Sequence, residues 1–367
     1  FRSEGVRDIY GIECRRKLML EEKLQEILHL YGYQDIQTPM FEFFDVFGKE
    51  IGTISSKELY KFFDRDGNTL VLRPDFTPSV SRACASYFSP DQEPVTLFYT
   101  GQTFVNSSSY QGRLKEITQM GVERIGDDSP EADAELLAMT VEALLSCGLR
   151  EFQVSVGQVD YFKSLLKEAG LEKEAEEHLR ALISEKNYFG VEELVEEQKL
   201  CPQLAAVFQE LPHLFGSVEV LKKARSLTDN QSAVRAVERL ERIYELLKVY
   251  GYEKYICFDF GMVSRIQYYT GIIFQAYTYG TGEPLVKGGR YNELLKHFGA
   301  PAASVGFVIM ADSLLTALSR QKIEILPDEE PYVLTYTEET LEETLVKAQR
   351  LRKEGRSVSL RKKKEGL

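Results

Sequence analysis

The feature that most constrains the fold is a long block, residues 160–250, that has only helical periodicity and interrupts a chain otherwise rich in strands. Segments with strand character lie on both sides of the block: 61–63, 69–73, 94–105, 113–125 and 152–157 before it, and 255–261, 271–279 and 302–310 after it. A doubly wound parallel sheet would alternate strands and helices throughout. The grouping therefore predicts an α+β protein in which helices flank an antiparallel sheet.

Helical spacing and local stop signals place the other helices and the domain boundaries. The spacing predicts a helix over 13–31, which ends at Gly32, and a second helix that begins at Ser129 and Pro130. Residues 328–367 have the order strand, helix, strand, which is typical of an α/β unit. We expect a core, an inserted helical subdomain and an incomplete C-terminal α/β unit, with these bounds: 1–160 and 251–322, 161–250, and 328–367.

Composition and charge exclude several classes of protein. Hydrophobic residues make up 43% of the 367, enough to bury a substantial core, and the net charge of −12 argues against a nonspecific nucleic-acid binder. No signal peptide and no apolar run of about 18 residues is visible, so we expect no membrane association and a cytoplasmic location. The cysteines and histidines form no metal-binding spacing, so we expect no metal and no cofactor.

Four spaced segments carry the functional information, since no P-loop, nucleophile elbow or dinucleotide fingerprint is present. They are LRPDFTPSVSR (72–82), FYTGQTFVNSSSYQGRLKEITQMGVERIG (98–126), SRIQYYTGIIFQAY (264–277) followed by KGGRYNELL (287–295), and SVGFVIMADSLL (304–315). In order and spacing they resemble the signature segments of histidyl-tRNA synthetase, a class II synthetase, over residues 5–320. Residues 13–47 are similar to the class II dimerisation motif, which implies a self-dimer.

The resemblance implies that this chain lacks the catalytic arginines of a synthetase. Joining an amino acid to the α-phosphate of ATP gathers negative charge on phosphoryl oxygens, and fixed guanidinium groups stabilise that charge. The family has arginines at three positions where this chain has Val105, Ser264 and Ser313. We therefore expect no adenylation. The alternative is that Arg113 or Arg265 takes over the role.

The residues that the family uses for histidine are largely retained. The predicted pocket for a histidine-like ligand consists of Asp75, Thr77, Gln119, Glu123, Tyr268 and Tyr269. The resemblance implies that Asp75 and Thr77 hold the ligand ammonium and that Glu123 and Tyr269 recognise imidazole. Residues i and i+4 of a strand share a face, so Gln119 and Glu123 can reach one ligand. The alternative is that Glu123 and Tyr269 are buried core groups bonded to each other.

A synthetase-like core without those arginines resembles the regulatory subunits of ATP phosphoribosyltransferase, and the proline of LRPDFTPSVSR favours that family. The resemblance implies a role in histidine biosynthesis beside a short-form catalytic subunit, with histidine as inhibitor. It leaves open whether histidine binds this pocket, the partner or their interface. The alternatives are a working histidyl-tRNA synthetase, a tRNA-binding regulator, which the acidic balance disfavours, and a free-standing amino-acid sensor.

Overall fold

The computed structural model describes residues 4–48, 54–107, 114–263, 269–325 and 331–363. The chain forms two compact units. The first comprises residues 1–8 and 20–324, and the second comprises residues 9–19 and 325–367. Each unit has its own sheet and its own buried apolar residues.

The first unit is built on a nine-stranded sheet in the order β1-β5-β6-β12-β11-β10-β7-β9-β8. Its strands are β1 (Gln34–Asp35), β5 (Val95–Phe104), β6 (Glu116–Ile125), β7 (Phe152–Gln158), β8 (Phe215–Gly216), β9 (Ile256–Asp259), β10 (Ile272–Thr278), β11 (Val286–Arg290) and β12 (Ser304–Met310). Each adjacent pair among the six central strands, from β5 to β7, is antiparallel, whereas the β1–β5 and β7–β9 pairs are parallel. The predicted α+β class with an antiparallel sheet is confirmed.

The helices of the described residues lie in three groups along the chain. They are α1 (Gly11–Leu30), α2 (Thr77–Tyr87) and α3 (Pro130–Ser146); then α4 (Val159–Ala169), α5 (Lys173–Ser184), α6 (Tyr188–Glu197), α7 (Pro202–Glu210), α8 (Glu219–Ser226) and α9 (Gln231–Tyr250); then α10 (Ala311–Arg320) and α11 (Leu341–Lys353). Eleven of the 17 residues of helix α3 are buried, and it packs against α9 and β12. Helix α9 also packs against α4.

The helical block was correctly predicted from its periodicity, because α4 to α9 fill it. Strand β8 lies within the block and pairs with β9, so a short part of the block joins the main sheet. The division into a core of 1–160 and 251–322 and a subdomain of 161–250 stays a prediction. In the part of the chain that the structure describes, no helix is long and apolar enough to cross a bilayer.

The chain also forms a separate three-stranded sheet, in the order β2-β4-β3. Its strands are β2 (Phe41–Phe43), β3 (Lys61–Phe63) and β4 (Thr69–Leu72). Phe43 and Phe62 both pair with Leu70, which puts their side chains on one face, and the ring of Phe41 contacts that of Phe62 at 5.8 Å. Phe41, Phe43 and Phe62 are all exposed, and we call them the aromatic face.

The second unit contains β13 (Tyr332–Tyr336), helix α11 and β14 (Val358–Lys362). The two strands are parallel, as a strand-helix-strand unit requires. Leu334, Ala348, Leu351 and Val358 bury their side chains together, which fixes the helix against the two strands. The predicted bounds of this unit, 328–367, stay a prediction.

Candidate functional site

The first unit contains a cavity of about 1420 Å³ over the centre of the main sheet. The structure brings most of the predicted site residues to its wall: Asp75, Thr77, Val105, Gln119, Glu123, Tyr269 and Ser313. Two predicted positions, Tyr268 and Ser264, lie outside the described residues, and so do Arg113 and Arg265. Residues that are far apart in the sequence therefore line one space.

Glu123 of β6 is the most constrained group in this cavity. Its side chain is 1% exposed, and its carboxylate accepts hydrogen bonds from three hydroxyl groups. The hydroxyl of Thr77 donates to Oε1 at 2.7 Å, that of Tyr99 donates to the same oxygen at 3.3 Å, and that of Tyr291 donates to Oε2. A carboxylate offers about four acceptor positions, so three donors leave room for one more.

Two glycines make room for Glu123 on the neighbouring strands. Gly306 of β12 pairs directly with Glu123, and Gly289 of β11 pairs with Gly306. A Cβ on Gly306 would lie 1.7 Å from Oε2 of Glu123, and a Cβ on Gly289 would lie 2.7 Å from the ring of Tyr269. Glycine is therefore required at positions 306 and 289, because a Cβ atom at either position would occupy the space of the Glu123 or Tyr269 side chain.

The electrostatics of the cavity favour protonated or neutralised carboxyl groups. Burial raises the pKa of Glu123 to about 8, and the nearby Asp75 acts in the same direction while the hydroxyl donors oppose it. Burial also raises the pKa of Asp75, against hydrogen bonds from the backbone N–H groups of Phe76 and Thr77 at 2.7 and 3.4 Å. A cationic ligand group would stabilise both carboxylates.

Gln119 of β6 has an unsatisfied group. Its side chain is 6% exposed, and among the residues that the structure describes its Oε1 atom has no hydrogen-bond partner. Leaving a buried acceptor unpaired costs about 1–3 kcal/mol. A ligand donor in the cavity would remove that cost. We call Asp75, Thr77, Gln119, Glu123 and Tyr269 the Glu123 group.

Val105, Asp312 and Ser313 also line the cavity, and we call them the Ser313 group. Val105 follows β5, and its N–H donates to the carbonyl of Lys115 at 2.9 Å. Asp312 and Ser313 lie in the first turn of α10, where the Asp312 carboxylate accepts from the N–H of Thr118 at 2.7 Å. Val105 and Ser313 carry no charge, so neither of these two side chains supplies a cation for a phosphate.

The whole cavity wall is more acidic than basic. Among its described residues, five are carboxylates and three are cations: Glu58, Asp75, Glu123, Glu283 and Asp312 against Arg7, Lys287 and Arg320. Burial favours the protonated form of Glu123 and Asp75, and a bound ammonium would stabilise their ionised forms.

Sequence reasoning missed Tyr99 and Tyr291, the two phenols that bind Glu123. The residue before Tyr291, Arg290 of β11, is 2% exposed and donates twice to Asp133 of α3, at 2.7 and 2.9 Å. Arg239 of α9 donates to the other oxygen of Asp133 at 2.7 Å. The segment KGGRY contained the signal, because its glycines, arginine and tyrosine each have a separate role.

The sheet and this cavity together define a protein of the histidyl-tRNA synthetase class. The family model described as histidyl-tRNA synthetase matches residues 5–314. A solved histidyl-tRNA synthetase from a Nostoc species has a TM-score of 0.81 at 20% identity, over 100% of this chain and 87% of that one, and shows the fold.

The relatives define the particular family within that class. An ATP phosphoribosyltransferase regulatory subunit of Acetivibrio thermocellus is 38% identical over 97% of this chain and 85% of its own length. A solved protein from Bacillus halodurans, described as an ATP phosphoribosyltransferase regulatory subunit/histidyl-tRNA synthetase, has a TM-score of 0.89 at 32% identity and covers 100% of this chain and 93% of its own. The chain belongs to the family of ATP phosphoribosyltransferase regulatory subunits, as the four segments predicted.

Proposed function

We propose that this chain is a noncatalytic subunit that activates a short-form ATP phosphoribosyltransferase and contributes to its feedback inhibition by histidine. The complex would act at the first step of histidine biosynthesis, in the cytoplasm. The observation that supports the proposal is a single cavity in which hydroxyl groups surround Glu123, and in which Val105 and Ser313 stand where the family resemblance implies arginines.

Histidine fits the Glu123 group chemically. An imidazole N–H can use the acceptor position that remains on Glu123, and the ammonium can lie near Asp75 and the unsatisfied Oε1 of Gln119. A site whose buried polar groups need these donors discriminates strongly against ligands that lack them. The alternative, that Glu123 serves only the core, gives no reason for the unpaired Gln119 beside it.

The noncatalytic part of the proposal depends on charge. Stabilising the adenylation transition state requires fixed cations at the α-phosphate, and loss of one such donor costs about 10²–10³ in rate. The cavity wall has a valine and a serine at two of the three positions where the resemblance implies arginines. Histidine bound without ATP is then a signal and not a substrate.

Reconstitution with the catalytic subunit tests this function. Mixing the chain with a short-form catalytic subunit should raise ATP phosphoribosyltransferase activity at least about tenfold, and histidine should reverse the increase. The Glu123→Gln variant should still activate but should lose most of the histidine response, because it changes an acceptor and leaves the fold in place. No activation by the wild-type chain would overturn the proposal.

We also propose that the aromatic face forms a self-dimer interface. Phe41 and Phe43 are 52% and 56% exposed, and contiguous exposed apolar surface of this kind marks interaction sites. Phe41→Glu combined with Phe43→Glu should convert a dimer to a monomer in light-scattering chromatography. Phe63→Glu is the matched control, since Phe63 is exposed on the other face of β3. A wild-type monomer at micromolar concentration would contradict the dimer.

A further inference from the structure

A second cavity, of about 490 Å³, lies between α4 and α9. Four cations line it, Lys163, Lys167, Arg235 and Arg239, together with one carboxylate, Asp160. The whole chain has a net charge of −12, so an excess of positive charge here runs against the average surface. Its volume falls in the range of about 300–1000 Å³ that is usual for small-molecule sites.

Two of these cations are available to a ligand. Lys167 and Arg235 are exposed, and among the residues that the structure describes neither pairs with a carboxylate. The guanidinium of Arg235 donates only to the hydroxyl of Ser232, at 3.0 Å, within that part of the chain. An arginine fork with a flexible ammonium beside it is a suitable donor set for a phosphate group.

The other two cations are fixed by the fold. Arg239 donates to Asp133 at 2.7 Å and to the carbonyl of Asp128 at 3.0 Å. Lys163 donates to the carbonyl of Tyr269 at 2.7 Å. An ammonium has three donors, so Lys163 can keep this bond and still donate to an anion.

We infer that the cavity between α4 and α9 binds the phosphate group of a small phosphorylated molecule and that Lys163 links this site to the principal cavity. Lys163 holds the backbone of Tyr269, a member of the Glu123 group. Arg239 reaches the same region through Asp133 and Arg290, the residue before Tyr291. An anion that fixes Lys163 also fixes the Tyr269 backbone, so it should favour ligand binding in the principal cavity.

Calorimetric titration with inorganic pyrophosphate at low salt tests the site on the full chain. We expect saturable binding of one pyrophosphate, weakened about tenfold by Arg235→Ala and by Lys167→Ala. Lys248→Ala is the matched control, because it removes one charge from the same helix outside the cavity, and it should leave the affinity unchanged. Adenosine monophosphate that binds more tightly than pyrophosphate would support a nucleotide, and weaker binding would support an inorganic or sugar phosphate.

Two results would overturn the site: no saturable binding at millimolar pyrophosphate, or an equal loss of affinity in Lys248→Ala. The link is tested separately by histidine titration with and without pyrophosphate, and this second measurement rests on the proposed function. Pyrophosphate should tighten histidine binding about fivefold in the wild type and not in Lys163→Met. Unchanged histidine affinity with pyrophosphate bound would refute the link, whereas a failure of histidine to bind at all would count against the proposed function alone.

Discussion

The Glu123 group and the Ser313 group line the same cavity, but the sheet supports them very differently. Glu123 is buried, accepts three hydroxyl hydrogen bonds and is given space by Gly306 on the adjacent strand. Val105 and Ser313 are short uncharged side chains, and the carboxylate of Asp312 accepts a hydrogen bond from β6. Under the proposed function, selection of a small ligand and stabilisation of a phosphoryl transition state are separable properties of this fold.

The two proposed properties, ligand selection and phosphoryl stabilisation, depend on different parts of the structure. The proposed recognition by the Glu123 group would use buried hydrogen bonds that come from α2, β5 and the residue after β11, so a single change at Glu123 disturbs several partners at once. Stabilising a phosphoryl transition state requires fixed cationic groups. Val105 and Ser313, where the resemblance implies such groups, lie after β5 and in α10, outside the strands of the sheet. A chain can therefore lose the second property and keep the first.

The largest expected effect concerns adenylation. Histidine-dependent exchange between pyrophosphate and ATP should be at least about 10³-fold slower than in a working histidyl-tRNA synthetase measured alongside, because fixed cations are missing at Val105 and Ser313. Exchange within tenfold of that synthetase would show that other cations take over, and the contrast between the two groups would then be wrong.

The next effect concerns the space beside Glu123. Gly306→Ala would place a methyl group 1.7 Å from Oε2 of Glu123 and 2.6 Å from the carbonyl of Val122. We expect unfolding free energy to fall by about 1–3 kcal/mol and histidine affinity to fall at least about tenfold. Gly282 also lines the cavity, but a Cβ there meets nothing within 4 Å, so Gly282→Ala is the matched control in denaturant unfolding and calorimetry. Equal effects of the two substitutions would refute the role assigned to Gly306.

A smaller effect concerns pH. The folded pKa of Glu123 is about 8 and its ordinary value is 4.5, so between these values the folded chain holds a proton that the unfolded chain has released. The stability from this group is complete below pH 4.5 and is lost as pH rises through 8, at up to about 1.4 kcal/mol per pH unit. Glu123→Gln has no such loss. The unfolding free energy of Glu123→Gln minus that of the wild type, measured with urea, should therefore increase by about 2 kcal/mol between about pH 6 and about pH 8. Parallel pH profiles of the two proteins would contradict a buried titrating carboxyl group.

Much of the fold followed from sequence because its elements have strong local patterns. The periodicity of α1 and α3 and the β-branched and aromatic content of β10 and β12 identified those elements near their observed bounds. Strand β11 was missed, since its VKGGR sequence has weak strand preference and its extended form depends on pairing with β10 and β12 on either side. Helix α2 was missed as well, although Thr77 and Pro78 begin it within a segment that had been singled out for its chemistry.

Residues of the site could be predicted only where they stand in a sequence segment whose own residue pattern indicates the chemistry. Asp75, Thr77, Gln119 and Glu123 stand in such segments, and all four line the cavity. The two phenol partners of Glu123 were not identified, because Tyr291 is 168 residues away in sequence and is brought to Glu123 only by the order of the strands. The phosphate site was missed for the same reason, since its cations come from two helices that only the fold brings together.

The smallest expected effect is the most direct test of whether the Glu123 group and the Ser313 group act independently. Ser313→Ala removes one hydroxyl from the first turn of α10 and touches none of the hydrogen bonds to Glu123. We expect histidine affinity to stay within about twofold of the wild type and unfolding free energy to change by less than about 0.5 kcal/mol, since no buried network is interrupted. Thr77→Val is the informative comparison, because it keeps the shape of the side chain but removes the donor 2.7 Å from Oε1 of Glu123, and it should weaken histidine binding clearly. Equal losses in both variants, measured by calorimetry on folded protein, would mean that the two groups act as one site.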